Sequence, residues 1–464
     1  MAQHSLYQWR VKLATYKPCW RLFLPLLLSM KRDNAFALHD PAPNKGSAWI
    51  GAICLAAAVF FAPLSAIADS GKDYLKALEA RIAALEAEVN ILQGDNKGKE
   101  LESVKVPTFA TPTSKYVEEL KIRGRIHYQF GYVNADSAED YATHELRRVR
   151  LGVSGKLAQD WKFKIEMNVL PGGADLDNGY IAWAKYDAFQ PHFGMYKPRF
   201  GFEDTTSSNK ILTIERSLLS NQLATDDITG AWVEGELGIV NYNLGFYNGE
   251  QGVRNTESNA NGGGTDFLYA ASLGLNIAKV CSFFDTFEIR GDYRHSSGFD
   301  NGDSFGFGGY DNSVSGSINL EVGRCGLWGE YLFGDDSRDD VGGSLQGFTV
   351  LPSFYLIPKK LQLVYRYQYA ESDYDPISGT GLNVPLRSQS RYERRVHADN
   401  PEDAARLSFF GDEYQAHYVG LNYYINGHDL KLMLGAEYAE LKNPLPGVDG
   451  NETLSVIGAI RFAF

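Results

Sequence analysis

Basic side chains recur at every second position in three stretches of this chain. Lys121, Arg123 and Arg125 form the first set, Arg148, Arg150 and Lys156 the second, and Lys162 and Lys164 the third. Arg461 stands in a similar pattern near the end. The alternate positions are apolar: Leu120, Ile122, Ile126 and Tyr128, then Val149, Leu151 and Val153, then Trp161, Phe163, Ile165 and Met167. A spacing of two puts all the cations of a stretch on one face of a β-strand. Rows of Lys and Arg along a water-filled passage select anions. Arg brings a planar fork matched to phosphate or carboxylate oxygens, and Lys a mobile point charge. The competing reading is a polar wall in which each cation is tied to an Asp or Glu, stiffening the sheet without selecting an ion.

Asp and Glu number 57 against 45 Lys and Arg, a formal net charge of −12. A nucleic-acid binder, which needs a basic face, is excluded. Many acids sit in Gly/Asp/Asn-rich stretches, as at Asp335, Asp336, Asp339 and Asp340, where they can decorate an outer mouth and leave a passage basic. Other chemistry is thinly supported. Residues 302–306 read GDSFG, the form of a nucleophile elbow around Ser304, with His295 upstream. That pattern makes an outer-membrane lipase the enzymatic alternative, although its Gly-rich flanks are not the strand-to-helix turn such an elbow needs. Asp175 and Asp177, or the Asp335–Asp340 cluster, offer oxygens to Ca²⁺ but read more simply as solvated loops. Phosphate-cradling, zinc-ligand and dinucleotide motifs are absent, so no enzyme activity, cofactor or metal is expected.

The elements that would carry these residues are strands. A chain with 44% hydrophobic and 13% aromatic residues is not disordered. It lacks a run of about 18 apolar residues beyond position 70, so it is not a bundle of membrane helices. Its 47 Gly, 27 Tyr and 26 Phe suit sheet corners, strands and membrane interfaces. Alternation returns around residues 287–294 and 361–368 and in the last segment, 454–464, which ends on Phe464. The alternating stretches are about 9–11 residues, the length of a tilted membrane strand. Connections of very uneven length separate them, as in a barrel with long loops on one rim and short turns on the other. Residues 116–464 at roughly 20–22 per strand and loop give about 16 antiparallel strands, closed because lipid satisfies no strand edge. That size leaves an aqueous channel.

Residues 1–68 read as a targeting segment. The apolar stretch from Gly46 ends in Ala66-Ile67-Ala68, which predicts cleavage after Ala68; Met30-Lys31-Arg32 offers an alternative start, and a membrane anchor is the alternative reading. Leu75, Leu78, Ile82, Leu85, Val89 and Leu92 follow at heptad spacing, predicting a periplasmic coiled coil over residues 69–98. It would self-associate or tether the barrel to the envelope; a lone amphipathic helix is the plainer alternative. A polar, Pro/Thr-containing linker covers residues 99–115. Cys19 and Cys54 leave with the targeting segment, while Cys281 and Cys325 either pair in an oxidising compartment or serve as small apolar residues.

The block GMYKPRFGFEDTTSSNKILTIERS at residues 194–217, with GFYNGE at 245–250 and VGLNYYINGHDLKLMLGAEY at 419–438, resembles the phosphate-selective porin O and P family, as does a coiled-coil segment before the barrel. The resemblance covers most of residues 116–464. It implies a 16-stranded trimeric barrel in the outer membrane with a basic, anion-selecting lumen. It also implies a loop folded into the pore around residues 205–217, which makes Lys197, Arg199, Lys210 and Arg216 constriction-loop candidates. The expected permeants are small anions of the phosphate class, passing by diffusion; the alternative is a general, weakly selective porin.

Overall fold

The computed structural model describes residues 116–135, 138–170, 173–225, 227–248, 267–297, 310–336, 343–374, 386–387, 410–444 and 450–464. The chain divides into two units, Met1–Lys105 and Val106–Phe464, and all described residues belong to the second. The targeting segment, the heptads, the linker and Ser304 lie outside the described residues.

The strands are β1 (Val117–Ala135), β2 (Ala138–Leu157), β3 (Trp161–Leu170), β4 (Gly173–Trp183), β5 (Gln190–Tyr196), β6 (Ile228–Leu237), β7 (Val240–Asn248), β8 (Phe267–Asn276) and β9 (Thr286–Ser297). They continue as β10 (Asn312–Val322), β11 (Cys325–Asp336), β12 (Gly343–Ile357), β13 (Leu361–Ser372), β14 (Leu386–Arg387), β15 (Phe410–Gly411), β16 (Glu413–Asn426), β17 (Leu430–Lys442) and β18 (Asn451–Ala463). All except β14 and β15 pair antiparallel in chain order into one closed barrel. The barrel closes where β1 meets β18, with Arg125 opposite Ala463 and Ala135 opposite Thr453. Gly124 and Phe464 exchange backbone hydrogen bonds at 3.1 and 3.0 Å, so the last residue completes the seam.

The alternation sorts side chains as the lipid requires. Ile126, Tyr128, Phe130 and Tyr132 are exposed on the outside of β1, while His127, Gln129 and Val133 between them are buried inside. Leu151, Ile165, Met167 and Val169 continue the apolar outer surface on β2 and β3. The strands are less uniform than expected: β1 and β2 run for 19 and 20 residues, β5 for only seven. Strand pairing needs no lipid, so the hydrogen-bond ladder of the first hairpin extends past the apolar band.

Short turns gather on one rim, as between β10 and β11 and between β12 and β13. The longest connections, β5 to β6 and β13 to β16, leave from the other rim. Cys281 is buried in the β8–β9 turn and Cys325 opens β11, with no disulfide between them.

Candidate functional site: the inner wall and the loop it holds

The connection from β5 to β6, residues 197–227, folds into the barrel. It starts after Tyr196, two residues beyond Gly194 of β5, whose φ of +141° and close approach to Tyr180 tolerate no side chain; a Cβ there would lie 2.3 Å from the Gly179 carbonyl. Two short helices, α1 (Phe202–Thr205) and α2 (Leu218–Gln222), lie on it. Leu218, Leu219 and Leu223 pack with Phe200 against Leu332, Leu345, Ala370 and Tyr414 of the wall. Removing these apolar groups from water gives the loop a core of its own inside the lumen.

Its backbone, which has no sheet to pair with, is satisfied by wall side chains. Glu330 of β11 accepts the N–H groups of Phe202 and Glu203 at the start of α1, and Arg216 donates to the carbonyls of Glu203, Asp204 and Thr206 at its end. Gln368 accepts the Leu218 N–H at 2.8 Å. Arg294 donates to the Leu223 carbonyl at 2.9 Å and Lys431 to that of Ile211 at 3.0 Å. Arg461 reaches the carbonyls of Ser208 at 2.6 Å and Ile214 at 2.5 Å. The buried Arg366 joins Glu437 at 2.6 Å, Glu203 at 3.5 Å and the Glu215 carbonyl at 2.8 Å.

The basic residues of β1, β2 and β3 come together on one stretch of inner wall. Register places Arg125 opposite Arg150, Lys121 opposite Ser154, Lys164 opposite the same Ser154, and Lys162 opposite Lys156. Several are tied to acids. Glu166 receives Arg125 at 3.1 Å, Arg150 at 3.2 Å and Lys164 at 3.6 Å. Arg150 also reaches Asp177 at 2.6 Å, and Lys121 reaches Glu119 at 2.5 Å. Arg123 and Lys162 are exposed nearer the short-turn rim. Of the loop candidates, Lys197 holds Asp204 at 2.8 Å, Arg199 donates to Asn241 at 3.4 Å, Arg216 caps α1, and Lys210 is exposed. Arg461, grouped by its spacing with the anion contacts, points its terminal nitrogens at loop carbonyls instead.

Strict alternation misses Arg147. The pairing of β1 with β2 slips between His127 and Tyr128, so Arg147 is an extra residue opposite neither. Such a bulge bends the strand and re-aims side chains. It turns Arg147 inward beside Arg148, where Arg147 meets Glu215 of the loop at 3.0 Å. The available signal was an arginine on what period two makes the lipid face. Burial opposes the Glu215 charge, but Arg147 and Arg148 outweigh it and bring its carboxyl down to about 2. Arg147, Arg148, Arg216 and Arg461 surround one small cavity of about 10 Å³, which His127 and Gln129 also line.

A family model described as phosphate-selective porin O and P matches residues 120–280. Porin O of Pseudomonas aeruginosa is 23% identical over 343 residues, which cover 64% of this chain and 76% of that protein. An anion-selective porin from Comamonas acidovorans shares the fold, with a TM-score of 0.51 at 11% identity over 74% of this chain and 99% of that one. The matched segment, which lies within the closed barrel, is thus similar to the phosphate-selective porin O and P family.

Proposed function

We propose that the barrel passes small anions by diffusion, phosphate among them, along the basic wall of β1 to β3. The observation that carries this reading is Arg148. It lines that cavity with three further arginines, and the carboxylate that it shares with them, Glu215, is hydrogen-bonded by Arg147. A guanidinium placed among like charges, its nearby carboxylate taken up by a neighbour, is unfavourable unless a mobile anion compensates it. From there Arg150, Arg125 and Lys164, then Arg123 and Lys162, lead toward the short-turn rim. A ladder of such sites lets an ion enter and leave, where one tight site would hold it. The family's trimeric state, and a periplasmic coil over residues 69–98 that supports assembly or tethers the barrel, belong to the same proposal.

Arg148→Gln tests it. In planar bilayers under a KCl gradient, the wild type should reverse on the anion side and phosphate should reduce its current. The variant should need about tenfold more phosphate for the same reduction, corresponding to one charge-assisted bond of about 1.4 kcal/mol. An unchanged phosphate response would remove Arg148 from the path. A second reading, a weakly selective general porin, is favoured by Glu166, on which three of the cations converge; it predicts reversal near zero and indifference to phosphate.

Selectivity should also follow pH. Burial, reinforced by the like charge of Asp177, pushes the loop carboxyl of Asp227 up to about 7. It is neutral below that pH and negative above it, so the anion-to-cation permeability ratio should fall between about pH 6 and pH 8. Asp227→Asn should hold the low-pH ratio throughout. A wild-type ratio that is flat across that window would show that Asp227 does not act on the permeating ion.

A further inference from the structure

The inner wall of β4 to β7 carries a cluster of aromatic rings, beside the carboxylates of Asp177 and Glu234. Trp232 lies at the centre, with ring planes within 15° of His192 at 4.9 Å, 21° of Tyr196 at 5.7 Å and 19° of Tyr247 at 6.0 Å. Tyr180 meets both Trp232 and Tyr196 edge-on, at 5.5 and 5.4 Å. The register explains how four rings share nearly one orientation. Gly230 and Gly245 sit under Tyr247, where a Cβ would come within 2.4 and 2.2 Å of its ring. The rings can therefore lie against the backbone.

Most of this cluster is ordinary packing: Trp232, Tyr247 and His192 are buried. Tyr196 differs. It alternates with Phe193 of the outer surface, so it belongs to the lumen side, and it remains 37% exposed. Lys164 stands over its ring with Nζ 5.7 Å from the centroid, at the edge of cation–π reach. An aromatic face backed by a rigid stack and a cation beside it match a planar ring bearing a carboxylate. We propose that Tyr196 and Lys164 form a lumen site for aromatic carboxylates, the ring stacking on Tyr196 and the carboxylate meeting the Lys164 ammonium. The proposal rests on the anion path above, of which Lys164 is a rung, and adds a preference that charge alone cannot supply.

Benzoate and cyclohexanecarboxylate carry the same charge at nearly the same size, and only benzoate has a π face. In bilayers holding the full-length protein, benzoate should reduce the KCl current at about threefold to tenfold lower concentration, the range of one aromatic pair. Tyr196→Phe, which keeps the ring, should retain that ratio; Tyr196→Leu should bring it to about one; Lys164→Gln should weaken both acids alike. Equal action of the two acids on the wild type overturns the proposal, as does a ratio that survives Tyr196→Leu. In either case an anion-side reversal potential in KCl leaves the anion path standing. A cation-side reversal potential overturns that path and the proposal with it.

Discussion

Arg366→Met should loosen the inward loop and destabilise the barrel by about 3–5 kcal/mol, the cost of leaving buried charge without its partner. Arg366 is 1% exposed, and its guanidinium lies between Glu437 of β17 and Glu203 of α1. It also donates to the Glu215 carbonyl and approaches Thr213 Oγ1 at 3.3 Å. Glu203 in turn accepts the Ser217 N–H at 2.8 Å and the Ser217 hydroxyl at 2.6 Å. One side chain of the wall thus joins both ends of the loop's central stretch. Its loss should lower the urea midpoint in detergent micelles and raise the single-channel conductance, with more open-channel noise.

Stability and loop grip can be separated. Adding Glu203→Gln and Glu437→Gln to Arg366→Met removes the stranded carboxylates, so much of the stability should return while conductance stays high. Normal conductance in the single variant would mean that the apolar packing of Leu218, Leu219 and Leu223 holds the loop unaided.

Alternation alone gave the barrel, the sense of each face and a strand number of about 16, because a lipid exterior leaves period two no freedom. The inward loop was legible only through family resemblance. Nothing in the composition of residues 197–227 distinguishes a loop inside a lumen from one outside it. For the same reason, alternation put Arg461 on the inner face without saying what it faces. Its partners, Ser208 and Ile214, lie about half the chain away. Arg147 was hidden by a local slip in register. Glu166 was visible on the same face as Lys162 and Lys164, but its hold on Arg125 and Arg150 needs the pairing of three strands, which no single stretch encodes.

That carboxylate decides between an anion path and a neutralised wall, and Glu166→Gln should raise the anion-to-cation permeability ratio about fivefold. Glu166 is 4% exposed and balances Arg125, Arg150 and Lys164 together, so its negative charge stands where the cations would otherwise act on the lumen. A unit charge felt at about 7 Å with an effective dielectric constant near 20 is worth about 2 kcal/mol, and screening in a wet lumen brings this to about 1 kcal/mol. The change should be largest at low salt and shrink toward 1 M KCl, where the Debye length falls to about 3 Å. Gln keeps hydrogen-bond acceptance with nearly the same shape, so the wall should stay assembled, and Asp177 still holds Arg150. A ratio unchanged at every salt concentration would place the ion's route away from β1 to β3, and the cations there would then be struts of the wall.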